Sequence, residues 1–153
     1  MRRAAIVQPV RTPVGKFQGA LSAMPAGDLA ALVIKALVVR TKIDPERIDD
    51  VVFAQGYANG EAPCIARWAA LAADLPLRVP GYQLDRRCGS GLQSIIDAAM
   101  MVQTGAADVV IAGGVDRSGE RARDAGLHAV VVAARRERRH VAELHAAQAR
   151  EAP

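Results

Sequence analysis

Two cysteines occur in the chain, and one of them stands where a nucleophile is expected. Cys88 lies in Asp85-Arg86-Arg87-Cys88-Gly89-Ser90-Gly91-Leu92-Gln93. There a strand-like pattern gives way to a helical one. A thiol at a helix start meets the positive end of the helix dipole and free backbone N–H groups, and both favour the thiolate. The glycines allow a tight turn and close approach of a substrate to the backbone. A strand, a nucleophile and a helix in that order form an elbow, here with Cys in the nucleophile's place.

The other reactive types have plainer readings. Cys64 follows Glu61-Ala62-Pro63 at a helix start and reads as a packed residue. Arg86 and Arg87 suit pairing with acids or a subunit contact better than capture of phosphates. Arg11 and Lys16 fall in a loop expected to be solvated and tied by ion pairs. Gly113-Gly114 reads as a strand end with close backbone packing. His128, His140 and His145 are spaced too irregularly for a metal site, and no metal is expected.

The elements that must position Cys88 alternate in type. Ala4–Val7 and Val51–Ala54 read as strands. So do Tyr82–Asp85 and Val109–Ala112. Asp28 is placed to cap a helix carrying Leu29, Leu32, Val33, Ala36 and Leu37. Asp44-Pro45-Glu46 is a cap with proline at the first helical position. Pro63–Ala73 is an Ala-rich helix. Gly89–Gln103 is a strongly apolar one, stopped at Thr104-Gly105. The pattern implies an α/β domain with a largely parallel sheet covered on both faces. Leu92, Ile95, Ile96, Ala99, Met100 and Val102 wrap most of the helix after Cys88, which implies burial in a larger, many-layered assembly.

Composition narrows the function classes. The apolar share is 51% but aromatics are only 3%, so Ala and Val supply close helix–sheet packing. Two cysteines in unlike contexts imply a reducing compartment without a disulfide. Gln8, Pro9 and Arg11 interrupt the N-terminal apolar stretch too early for a signal peptide. No run approaches the roughly 20 apolar residues of a membrane span. A cytoplasmic location, no membrane association and no nucleic-acid partner are expected. The net charge of +4 is small, and its arginine clusters lie in the tail without aromatics.

Three segments together carry a family resemblance. They are Arg11-Thr12-Pro13-Val14-Gly15-Lys16-Phe17-Gln18-Gly19, the elbow Asp85–Leu92, and Thr104-Gly105-Ala106-Ala107-Asp108-Val109-Val110-Ile111-Ala112-Gly113-Gly114-Val115. In this order and spacing, residues 1–115 resemble the N-terminal half of the thiolases, the acetyl-CoA acetyltransferase and 3-ketoacyl-CoA thiolase group. The resemblance implies a thiolase-like fold, in which this chain is the N-terminal core domain and half of a five-layer αβαβα architecture. It implies a Cys88 nucleophile that takes an acyl group and passes it to coenzyme A or to an acetyl-CoA enolate. Coenzyme A is then a substrate, with no permanently bound cofactor. Backbone N–H groups at the elbow are expected to polarise the acyl carbonyl. A dimer or tetramer is implied for the intact family member. In that family a His, a second Cys and an Asn–His pair from the C-terminal half supply the base, the second proton shuttle and the oxyanion donors. The three histidines here match none of those motifs.

The motif match stops after Val115. Thiolases continue with a Glu-Ser-Met-Ser type segment, where this chain has Asp116-Arg117-Ser118-Gly119-Glu120. From Asp116 the chain holds all three histidines, many Arg and Ala, and no Lys, Phe, Tyr or Trp. Val130-Val131-Val132 is its one strong apolar core, and Glu143–Arg150 a candidate surface helix. Residues 116–153 are thus expected to be a poorly ordered Arg/Ala-rich tail foreign to the family. Such enrichment is what a G+C-rich gene yields out of frame. A truncated or frameshifted chain, inactive alone, is expected. A non-catalytic chain pairing with a thiolase subunit or a separate C-terminal half is the alternative.

Overall fold

A computed structural model of the chain describes residues 2–16, 18–58, 60–117 and 124–134. One mixed sheet organises them. Its strands are β1 (Ala4–Arg11), β2 (Gly15–Lys16), β3 (Asp50–Ala54), β4 (Gly81–Leu84), β5 (Val109–Arg117) and β6 (Asp124–Ala134). The order is β1-β6-β5-β3-β4, with β2 paired to β6. β3 runs parallel to β4 and to β5, whereas β6 is antiparallel to both β1 and β5. Hence β1, β5, β3 and β4 all point their carboxyl ends to one edge, where open α/β sheets bind ligands.

Helices cover the two faces unequally. α1 (Ala26–Thr41) and α2 (Ile65–Ala72) lie on one, and α3 (Ser90–Thr104) on the other. Alternation along β3 sorts the core: Val51 and Phe53 pack towards α1 and α2, and Val52 towards α3. Asp28 stands in the first turn of α1 and Arg40 in its last, each at the dipole end that favours its charge. Pro25, rather than Asp28, holds the cap position. Asp44 Oδ1 accepts from Glu46 N at 3.0 Å, but the turn it caps is a single 3-10 turn, Pro45–Arg47. Gly105, at φ 84°, closes α3 in the left-handed region, as its type predicts.

Several expectations are corrected. The sheet is mixed rather than largely parallel, because β6 is inserted antiparallel between β1 and β5. β5 runs through Gly113-Gly114 to Arg117 instead of ending there. The folded domain therefore does not end at residue 115. Its central ladder includes Asp124–Ala134, with Val130 in register with Ala112 and Val132 with Val110. A Val-rich run suits a pleated interior strand, but its partners are remote in sequence, so local composition did not reveal it. His140, His145 and the candidate helix Glu143–Arg150 lie outside the described residues. α3 is buried on one stripe only, Ser90, Ser94, Ala98 and Val102, while Leu92, Ile96 and Met100 are exposed.

Candidate active site

Cys88 stands in a 3-10 turn, Arg87–Gly89, that links β4 to α3. β4 is held close to α2. A Cβ on Gly81 would stand 2.9 Å from Arg67 N, and Gln83 Oε1 accepts from Ile65 N at 2.9 Å. That contact fixes where the strand releases Asp85. Ser90, almost wholly buried, then pins the turn. Its Oγ accepts from Arg86 N and donates to the Arg87 carbonyl, both at 2.6 Å. Asp85 Oδ1 accepts from Arg87 N at 2.8 Å, and Oδ2 pairs with Arg87 Nη1 at 2.7 Å. Cys88 itself is exposed.

A cavity of about 640 Å³ opens over Cys88 at the carboxyl edge of the sheet. α3 contributes Leu92 and Ile95, β1 contributes Arg11, and β5 contributes Gly113 to Asp116. Its wall is mostly apolar, with few polar groups, as small-molecule sites usually are. Gly114 allows β5 to approach β3: a Cβ there would stand 3.0 Å from the Ala54 Cβ and 3.1 Å from its carbonyl oxygen.

Among the described residues, the cavity's ionisable side chains are the Cys88 thiol, the Asp116 carboxyl and the Arg11 and Arg87 guanidinium groups. Sequence reasoning treated Asp116 only as the point where motifs fail. The structure sets it in the wall of the cavity that Cys88 also lines. Its Oδ1 accepts from Gly56 N at 2.9 Å and Tyr57 N at 3.0 Å. Burial pushes its carboxyl above the usual carboxylate range, against those two hydrogen bonds, and the negative charge of Asp85 adds to the rise. Its place at the carboxyl end of a strand next to β3 was the available signal.

The remaining candidates separate from the cavity or change role. Cys64, half-buried at the start of α2, donates from Sγ to the Gly81 carbonyl at 3.5 Å and is not among the cavity's walls. Arg87 pairs with an acid, as its setting suggests, whereas Arg86 donates to the Gln93 side chain. Arg11 lines the cavity and donates to the Thr12 carbonyl at 3.2 Å. Lys16 is exposed on β2. The backbone of His128 lies in register between Arg11 and Gly114. The elbow's N–H groups are more committed than expected: Gly89 N donates to the Arg86 carbonyl and Ser90 N to the Arg87 carbonyl. Among the described residues no group of three or more His, Cys, Asp or Glu is placed to hold a metal.

These features have counterparts in known proteins. The family model described as "Thiolase, N-terminal domain" matches residues 4–147. The chain belongs to the thiolase family. The match continues past residue 115, where the recognisable motifs stop, in line with the strand at 124–134. Acetyl-CoA acetyltransferase of Cupriavidus necator is 41% identical over 114 residues, which are 74% of this chain and 29% of that protein. Steroid 3-ketoacyl-CoA thiolase FadA6 of Mycobacterium tuberculosis is 46% identical over 116 residues, 75% of this chain and 28% of that one. The crystal structure of the Bacillus anthracis acetyl-CoA acetyltransferase matches with a TM-score of 0.73 at 40% identity, covering 75% of this chain and 29% of that one. The chain thus matches less than a third of the length of these thiolase relatives. No helix among the described residues is long and apolar enough to cross a membrane.

Proposed function

We propose that this chain is the acyl-accepting part of an acyl-CoA acyltransferase, with Cys88 as the covalent nucleophile and coenzyme A thioesters as substrates. The observation that carries the reading is the position of Cys88: a thiol at the strand-to-helix elbow, facing an apolar cavity at the sheet's carboxyl edge. In the condensing direction, the Cys88 thiolate attacks the acetyl-CoA carbonyl. The carbon–sulfur bond to coenzyme A breaks, coenzyme A leaves, and acetyl-Cys88 remains. An acetyl-CoA enolate then attacks that thioester, forming acetoacetyl-CoA and freeing the thiolate. In the reverse direction Cys88 attacks the 3-keto carbon, the bond between carbons 2 and 3 breaks, and coenzyme A removes the acyl group.

The cavity contributes an apolar wall for an acyl chain, from Leu92 and Ile95. Enolate formation needs a further base and acid, and neither a second thiol nor an imidazole is among the described cavity side chains. The 153-residue chain alone is therefore read as capable of taking one acyl group but not of turning over. The exposed Leu92, Ile96 and Met100 stripe of α3 is the surface on which a second core domain would complete the layers. A cytoplasmic location and a homo-oligomeric complete enzyme belong to the same reading, as does the absence of a permanently bound cofactor.

Mixing the chain with acetyl-CoA and following free coenzyme A thiol tests it. One equivalent per chain is expected, released once, and none from Cys88→Ser. Equal release by Cys88→Ser would remove Cys88 from the reaction. Sustained release would overturn the single-turnover claim.

A further inference from the structure

We propose that Asp116 is a positioning residue for Cys88, acting through the Gly56-Tyr57 loop and the guanidinium of Arg87. The inference rests on Cys88 being the nucleophile. Arg87, directly before Cys88, holds φ 49° in the left-handed region. For a residue with a side chain that conformation is costly, and it persists only where the surroundings over-determine it. Asp85 supplies one restraint, through the Arg87 N–H and guanidinium. The second comes from the loop after β3. Arg87 Nη1 donates to the Gly56 carbonyl, and a Cβ built on Gly56 would stand 3.7 Å from the Arg87 Cα. The loop therefore holds the strained residue through its carbonyl, with its bare α-carbon facing the Arg87 backbone.

What holds that loop is Asp116. A single carboxylate oxygen accepts two consecutive backbone N–H groups, those of Gly56 and Tyr57. A Cβ on Gly56 would stand 3.4 Å from the other oxygen, so the bare glycine leaves the carboxylate room to approach the loop. Asp116 sits on β5 two residues past Gly114, where the ladder to β3 ends, and in register with Gly126 of β6, so the restraint is anchored in the sheet. Carboxylate hydrogen bonds to backbone N–H are stronger than neutral ones, whereas the Arg87–Asp85 pair is largely exposed and weak by itself. The load on the elbow therefore falls more on the Asp116 side of the network.

Substitutions at Asp116 and Arg87 test this in the full chain by hydrogen exchange and by iodoacetamide labelling, with Cys64 as the internal clock. Asp116→Ala is expected to speed exchange of the 56–57 amides and of the 85–89 amides together, with β3 unchanged. It should change the Cys88-to-Cys64 labelling ratio by about threefold or more, since labelling follows the local thiol environment. Asp116→Asn, which keeps an acceptor oxygen, should restore most of both. Arg87→Gln, a change at an exposed side chain, should release 85–89 alone and leave 56–57 protected. If Asp116→Ala leaves 85–89 exchange and the labelling ratio at their original values, the inference is overturned. If Asp116→Ala unfolds the chain, Asp116→Ser, too short to reach both amides, decides in its place, and unchanged 85–89 exchange and labelling there overturn the inference. These readouts need no acyl transfer, so failure of the Cys88 acylation reaction would leave this result intact.

Discussion

The two faces of the sheet are built to different standards. On the α1/α2 face, Leu29, Ile34, Leu37, Phe53 and Ile65 are fully or almost fully buried in one large cluster. On the α3 face the cluster is small, with Val52, Ala98, Val102, Val110 and Ala112 at its centre, and α3 exposes Leu92 at 67%, Met100 at 49% and Ile96 at 41%. An amphipathic helix buries its apolar side; one with apolar residues left over on a second side has a partner still to meet. Cys88 sits at the start of α3, on the lesser-covered face. The well-packed face supplies stability, and the open one carries the proposed chemistry and the proposed docking surface.

The sharpest way to break this contrast is to truncate a residue of the large core. Phe53→Ala should cost about 3–5 kcal/mol, enough to unfold a marginal domain, as measured by denaturant melts. A cost below about 1 kcal/mol would mean that the α1/α2 face is not the stabilising one. Next comes the spacing of the central strands. Gly114→Ala must push β5 from Ala54, at about 1–3 kcal/mol, and should also lower Cys88 acylation because the cavity wall moves. Stability lost without any change in acylation would separate the strand spacing from the site.

A smaller effect lies in pH. A carboxyl whose folded pKa is raised adds most stability at low pH, and that contribution is lost as pH rises through the folded value. Asp116 is such a group, and the similarly raised Asp50 is present in both proteins compared. The melting temperature of the original chain should therefore gain on that of Asp116→Asn as pH falls from about 7 to about 4, the range where carboxyls protonate. A gap that is flat with pH would contradict the buried-carboxyl reading. The smallest stability change is expected on the exposed stripe. Ile96→Lys should shift stability by no more than about 0.5 kcal/mol yet reduce self-association, seen by light scattering.

Legibility in the sequence followed the range of the signals. The elbow was readable because its cues are local: an apolar strand, Cys-Gly-Ser-Gly, then a helical period. Gly105 and the Asp44-Pro45 cap were readable for the same reason. β6 was not, because Ala, Arg and His around Val130–Val132 look like a tail until β1 and β5 are known to lie on either side. Asp116 was missed because its importance depends on amides 59 and 60 residues earlier in the chain. The elbow's N–H groups were taken as available, and only the folded turn shows that those of Gly89 and Ser90 are spent on the Arg86 and Arg87 carbonyls.

The most direct measurement of the central claim is to incubate the chain with acetyl-CoA carrying an isotopic label and map the label by peptide mass spectrometry. The account predicts a thioester on Cys88, with Cys64 essentially unlabelled and the label removed by added coenzyme A. Label shared equally between Cys64 and Cys88, or absent from Cys88 while iodoacetamide still modifies it, would contradict the account.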